Sequence, residues 1–406
     1  LLEVIKLRIA LLAMMEPAVA GQTQPRAFLR IGGATLAQHQ LGLALALDCQ
    51  RVICLARGPS PEMIALQHMA EDAGLQFYIA TGARPLSGLV TANDELVVIG
   101  EGLFVQPAGV AALFDGKAPA VLVQPVEGGL AAGFERIDIN RASAGVMRIP
   151  GNLVENLQEL PGDCDVPSAL TRIALQSGVS MREVPADLRS GADWRLIRDE
   201  SEAHGVELEW LRERFGEGER VSPGRTIARY GVLTFGSSLL HAGNASSILS
   251  LGVLAALAIA GGFAWFGFLT VAFLSLFVAA VLVEASRLLR LAERQALGQL
   301  PPAIPRADAL GWLVDVVFGL SLLAGIPRLG GESVISWFFA PFMLMLLLAM
   351  IPRFVTGTAA SLVSDRATLG LLLAFAAGFG QIEPLVEVLA ITLVVVGMLL
   401  PLRRKD

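Results

Sequence analysis

The run Arg51-Val-Ile-Cys-Leu-Ala56, followed by Arg57-Gly-Pro-Ser-Pro-Glu-Met-Ile-Ala-Leu-Gln-His-Met-Ala-Glu-Asp-Ala-Gly74, decides the fold class of the first half of this chain. The first six residues are a short apolar, β-branched run of the kind buried on both faces of a sheet. After it, Ser60 is placed to cap a helix that begins at Pro61, and Gly74 stands where a helix ends in the left-handed region. Working outward, Ile9-Ala-Leu-Leu12, Glu95-Leu-Val-Val-Ile99 and Ala120-Val-Leu-Val123 repeat the strand signature, and Leu36 to Leu47 repeats the helical one. Strands alternating with helices predict an α/β domain with a mostly parallel, Rossmann-like sheet covered on both faces. Ligands of such folds bind at the carboxyl ends of the strands, which directs attention to the loops after the first and fourth runs.

The second half has another chemistry. Of 406 residues, 54% are hydrophobic and only 17% charged, but most of the charge lies before residue 225. Six apolar segments follow, at about 245–262, 265–287, 308–326, 333–351, 360–379 and 384–402, each near the ~20 residues that cross a bilayer. Arg225, Arg229, Arg287, Arg290, Arg294, Arg306, Arg353, Arg366, Arg403, Arg404 and Lys405 fall on one side of such a topology; Arg328, Glu332 and Glu383 fall on the other. That asymmetry predicts an all-α six-helix transmembrane domain with both termini cytoplasmic, in an inner (plasma) membrane. The expected boundaries are 1–210 for the cytoplasmic domain, 211–243 for a linker and amphipathic juxtamembrane helix, and 244–406 for the membrane domain. Arg212, Arg214, Arg220, Arg225 and Arg229 suit a contact with membrane lipids, each basic residue worth about 1 kcal/mol near an anionic surface.

A net charge of −6 excludes a basic face for nucleic acid. Three cysteines, Cys49, Cys54 and Cys164, in no metal-like spacing, argue for a reducing compartment and against a zinc site. Near the start, Lys6 and Arg8, the run Ile9 to Met15 and Ala18-Val-Ala20 fit a signal peptide in outline. The competing reading is a first buried strand from Val4 to Ala13, which the cytoplasmic topology favours.

Pro25-Arg-Ala-Phe-Leu-Arg-Ile-Gly-Gly-Ala-Thr-Leu36, with Asp48 to Arg57 and Val97-Val-Ile-Gly-Glu-Gly-Leu-Phe104, resembles the sugar-phosphate nucleotidyltransferases. The resemblance implies a nucleotide site using Gly21 and Arg26, with Glu101 at the metal-binding turn and CTP as ligand. Against activity, the loop Met14 to Gln24 carries one glycine where the family has several, plus Glu16 and Pro17. Ala192-Asp-Trp-Arg-Leu-Ile-Arg-Asp-Glu-Ser-Glu202 is similar to the family's closing segment, but Leu196 and Arg198 occupy its acidic positions. Surface charge on a retained fold is the favoured account of Arg26 and Glu101.

The order of the two halves resembles a fusion of an inositol-phosphate cytidylyltransferase with a CDP-alcohol phosphotransferase. That membrane family holds two divalent metals with four carboxylates in D-x-x-D-G-x-x-A-R…G-x-x-x-D-x-x-x-D. Here Glu284 and, through Gly311 to Asp315, Asp315 are the candidates for catalytic and metal-binding acids; Arg287 and Leu288 replace an Asp-Gly pair and Gly319 the last aspartate. Ser364-Asp-Arg366 matches an Arg–Asp pair of the family, and Asn244 fits its P-N-x-x-T segment. Arg287, Arg290, Asp365 and Arg366 are the candidates for lipid or phosphate binding. The resemblance implies Mg²⁺ if the chain is active and no cofactor otherwise, a CDP-alcohol ligand, and a homodimer or a partner lipid-synthesis enzyme. Two functions remain: an active divergent transferase, or a catalytically degenerate scaffold or regulator in polar-lipid headgroup synthesis. Losses at both centres favour the second.

Overall fold

The computed structural model describes residues 6–18, 24–116, 118–161, 164–216, 222–241, 245–296, 306–327, 333–354, 358–363 and 365–399. The chain divides into two units, 1–214 with 292–301, and 215–291 with 302–406.

In the first unit the strands are β1 (Arg8–Met14), β2 (Arg30–Ile31), β3 (Ala34–Thr35), β4 (Arg51–Ala56), β5 (Gln76–Ala80), β6 (Glu95–Ile99), β7 (Leu103–Val105), β8 (Ala120–Pro125), β9 (Arg141–Pro150), β10 (Ser180–Glu183) and β11 (Trp194–Leu196). The helices are α1 (Leu36–Ala46), α2 (Pro61–Asp72), α3 (Ala83–Ser87), α4 (Pro107–Leu113), α5 (Val126–Ala131), α6 (Val166–Gln176), α7 (Ala186–Arg189) and α8 (Glu200–Gly216). Seven strands form one sheet in the order β10-β8-β9-β6-β1-β4-β5. All neighbours are parallel except β9, which runs antiparallel between β6 and β8.

The apolar run Ile9–Met14 is a central strand, paired with β4 on one side and β6 on the other. Its side chains alternate between two cores. Ala10, Leu12 and Met14 join Leu41, Met63, Leu66 and Val110 on one face. Ile9, Leu11 and Ala13 join Leu86, Leu153, Leu157 and Leu170 on the other. Burial on both faces explains why the run reads as continuously hydrophobic. The expected helix starting at Pro61 is capped by Ser60, whose Oγ accepts the Met63 N–H at 3.2 Å, and Gly74 takes φ +83° beyond its end. The α/β expectation holds, with β9 as a departure from a wholly parallel order.

The second unit is helical: α9 (Pro223–His241), α10 (Ala245–Trp265), α11 (Leu269–Ala296), α12 (Arg306–Gly325), α13 (Val334–Phe354), α14 (Thr358–Val363), α15 (Arg366–Gly378) and α16 (Ile382–Leu399). Its core gathers Phe273, Leu276, Phe318, Leu322, Leu344, Leu373 and Val386, with Phe273 and Phe318 stacked at 6.4 Å between centroids. Among the described residues two helices, Ile248–Trp265 and Leu269–Leu291, are long and apolar enough to cross a membrane; Ala309–Gly325, Val334–Met350 and Arg366–Gly378 are shorter apolar helices. The fifth segment, expected to run unbroken from about 360 to 379, is divided near Asp365, because that side chain caps a new helix by accepting the Ala367 N–H. The 13 residues of α15 reach only about 20 Å, short of a ~30 Å hydrocarbon core.

Candidate functional sites

The α/β unit has a cavity of about 410 Å³ near the carboxyl ends of β1 and β6, lined by Glu16, Arg26, Glu101, Glu135, Asp165, Ser168 and Arg198 among others. This is where the doubly wound rule puts a ligand. The loops after β1 and β6 meet here through Glu101. Its two carboxylate oxygens accept the N–H groups of Met15 and Glu16, each at 2.8 Å. Burial pushes the Glu101 carboxyl up to about 7, against the pull of those two amide bonds. The turn that carries it needs glycine: Gly102 has φ +74°, and a Cβ there would run into the Ile197 carbonyl oxygen and Arg26 Cδ.

Arg26 lies in the cavity wall, but its Nη2 is 2.6 Å from Glu16 Oε2. The cation expected to meet a phosphate is therefore partnered by an acid from the very loop that should cradle that phosphate. Gly21 lies outside the described residues. In the closing segment, Trp194 is buried and donates from Nε1 to the Ala144 carbonyl at 2.9 Å. Arg198 pairs with Glu202, while Asp199 accepts the Ser201 hydroxyl and the Glu202 N–H, so it serves as a helix cap and its carboxyl is held below the ordinary range. Glu135, Asp165 and Ser168 were not anticipated here. Asp165 was findable as the cap of α6, accepting the Ser168 N–H at 3.2 Å; nothing in the sequence marks Glu135.

The helical unit has a larger cavity, about 720 Å³, bounded by α9, α11, α12, α13, α14 and α15. It brings together Glu284, Arg287, Gly311, Asp315, Asp365 and Arg366, residues read from three separate stretches of sequence. From α11, positions 280, 284, 287 and 291 fall on one helical face and point the same way. Arg287 Nη1 lies 2.5 Å from Glu284 Oε1. Across the cavity, Arg366 meets Asp315 fork to fork, Nε–Oδ1 at 2.6 Å and Nη2–Oδ2 at 3.2 Å. Asp365 accepts the Gly224 N–H at 2.8 Å, the Ala367 N–H at 3.1 Å and the Thr368 hydroxyl at 2.7 Å. Arg290 turns elsewhere, toward Ser250 Oγ at 3.4 Å. Asn244 is outside the described residues, and Gly319 lies against Met345 instead of the cavity. Ser222, Arg225, Trp312 and Ser361 also line the wall; among them only Arg225 had been marked, as a juxtamembrane charge.

The donor sets do not suit Mg²⁺, which needs near-octahedral oxygen ligands at about 2.1 Å. Glu284 and Asp315 each face a guanidinium, Asp365 serves three protein donors, and Glu101 serves two amides. Among the described residues no group of three His, Cys, Asp or Glu side chains could hold a metal ion. At Glu284 and Asp315 a guanidinium already supplies the positive charge that an ion would bring.

No family model matches the chain, and no curated protein matches it. Solved structures similar over about half its length include one assigned as a glucose-1-phosphate thymidylyltransferase from Bacillus anthracis, in complex with sucrose (15% identity, 50% of this chain and 94% of that one, TM-score 0.39). A UDP-glucose pyrophosphorylase from Acinetobacter baumannii is similar at 10% identity, over 51% of this chain and 94% of that one, with TM-score 0.36. Its UTP-bound form has the same identity and coverage and a TM-score of 0.38.

Proposed function

We propose that this chain is a non-catalytic membrane protein of polar-lipid headgroup synthesis, in which a nucleotidyltransferase-like domain and a CDP-alcohol phosphotransferase-like helical domain scaffold or regulate an active enzyme. The placement in an inner membrane, multi-pass with both termini cytoplasmic, is part of the same proposal. What carries it is the internal use of the acids at both centres. Glu101 is bonded to the amides of its own loop, Glu284 to Arg287, and Asp315 to Arg366. A carboxylate that must hold a divalent ion needs that ion as its counter-charge; at Glu284 and Asp315 a guanidinium already fills that role, and at Glu101 each oxygen is tied to a loop amide.

One observation favours the alternative of an active divergent transferase: the helical cavity persists at about 720 Å³, ample for a headgroup. The chain purified free of partners, given a CDP-alcohol, a phospho-alcohol or lipid acceptor and Mg²⁺, is expected to transfer no headgroup, whereas a mild-detergent preparation is expected to retain a lipid-synthesis enzyme that does. Headgroup transfer abolished by Asp315→Ala would overturn this reading. So would Mg²⁺-dependent CTP binding lost on Glu101→Ala, for the α/β domain.

A further inference from the structure

We infer that the helical cavity captures a phosphate group carried on an amphiphile, using guanidinium groups and no divalent cation; this ligand class rests on the lipid-headgroup reading above. Six charged side chains line the cavity: Arg225, Glu284, Arg287, Asp315, Asp365 and Arg366. Their formal charges cancel, but their partners are unevenly shared. Asp315 and Glu284 face guanidinium groups, and Asp365 spends its oxygens on two backbone N–H groups and a hydroxyl. Arg225 has no acidic partner among the described residues, so its guanidinium N–H groups are the ones open to a ligand.

Two further features point to the same chemistry. Arg225 stands in the first turn of α9, behind Ser222, whose carbonyl accepts the Thr226 N–H at 2.9 Å. The positive end of that helix already holds the Asp365 carboxylate through the Gly224 N–H, which leaves the Arg225 guanidinium to a ligand. The wall also carries apolar surface: Trp312 is 74% exposed and Leu291 45%. A planar guanidinium suits phosphate oxygens, and exposed apolar groups beside it suit the hydrocarbon of the same molecule. At Asp315, Arg366 already supplies the positive charge that an ion would bring, through two hydrogen bonds.

The test is calorimetric titration of the full-length protein in detergent with dioctanoyl phosphatidic acid, inorganic phosphate and dioctanoylglycerol, each in EDTA and in millimolar MgCl₂. Expected is saturable binding of phosphatidic acid with affinity equal within about twofold in EDTA and Mg²⁺, weakened about tenfold by Arg225→Gln, as for the loss of one charge-assisted contact, and only partly kept by Arg225→Lys, which has the charge without the planar fork. Because Arg225 is exposed, these variants keep the fold. Affinity that rises tenfold or more with Mg²⁺ overturns metal-free capture. Inorganic phosphate binding as tightly as the lipid overturns the amphiphile, and dioctanoylglycerol doing so overturns the phosphate. No saturable binding of phosphatidic acid overturns the site. Headgroup transfer by the purified chain would end the non-catalytic reading and leave metal-free capture standing; Mg²⁺-dependent binding without transfer would do the reverse.

Discussion

Asp315 on α12 and Arg366 at the start of α15 are joined by two hydrogen bonds, at 2.6 and 3.2 Å, with side chains 29% and 17% exposed. A pair this sheltered is worth more than a surface ion pair, yet removing one member leaves an uncompensated charge. Arg366→Ala is therefore expected to destabilise the helical unit by about 1–3 kcal/mol, and the double variant with Asp315→Ala to recover part of that loss. Thermal unfolding of the four proteins in one detergent checks this. Strictly additive losses would mean that the two side chains do not interact.

Gly224 and Asp365 set the packing of α9 against α15. A Cβ at residue 224 would overlap Asp365 Oδ1 and Ala367 Cβ, and the Gly224 N–H donates to Asp365 Oδ2 at 2.8 Å. Gly224→Ala must push the cap away from α15. Its expected cost is at least that of Asp365→Ala, which removes the cap and costs about 1–2 kcal/mol. Hydrogen exchange at Ala367 and Thr368 should accelerate in both variants; protection unchanged from wild type would show that the cap survives the added methyl.

What was legible follows from burial. β1, β4, β6 and β8 are covered on both faces and so announce themselves as apolar runs, and α2 carries its own start and stop in Ser60 and Gly74. β10, Ser-Met-Arg-Glu at the sheet edge, is largely exposed and has no such signature. β9 mixes Arg141, Ser143 and Gly145 among its apolar positions, and Ser143 and Gly145 line the cavity. Position singled out Glu101 and Asp315 and placed Arg366 among the arginines near the membrane-domain acids, but which side chain meets which could not be read. Met15 and Glu16 come from 86 and 85 residues upstream, and Arg366 from 51 residues downstream. Such distances are closed by tertiary packing, which no local period records.

The turn between α10 and α11 provides a test of topology. Trp265, Phe266 and Phe268 around Gly267 are 86%, 76% and 61% exposed. Aromatic rings in such numbers at a helix-hairpin tip suit the membrane–water interface. Cys49 and Cys54 are buried, with thiols pushed up by that burial, Cys49 to about 12, so both should stay silent to a maleimide. A cysteine replacing Phe266 should react with an impermeant maleimide from the outside of intact cells, and Cys164 only in inverted vesicles. The opposite pattern would reverse the orientation.

Glu101 makes the α/β unit sensitive to pH. Burial, aided by the nearby charge of Glu16, raises its carboxyl from 4.5 to about 7. A group whose folded value lies above its unfolded one favours the fold while protonated. That contribution is complete below the unfolded value and is lost as pH rises through about 7. Full ionisation forfeits on the order of 3 kcal/mol. Glu101→Gln removes the titration while keeping an acceptor for one loop amide. The melting temperature of the wild type relative to this variant is expected to fall between about pH 5 and about pH 8. A difference independent of pH would mean that Glu101 stays ionised throughout, its two amide bonds outweighing the cost of burial.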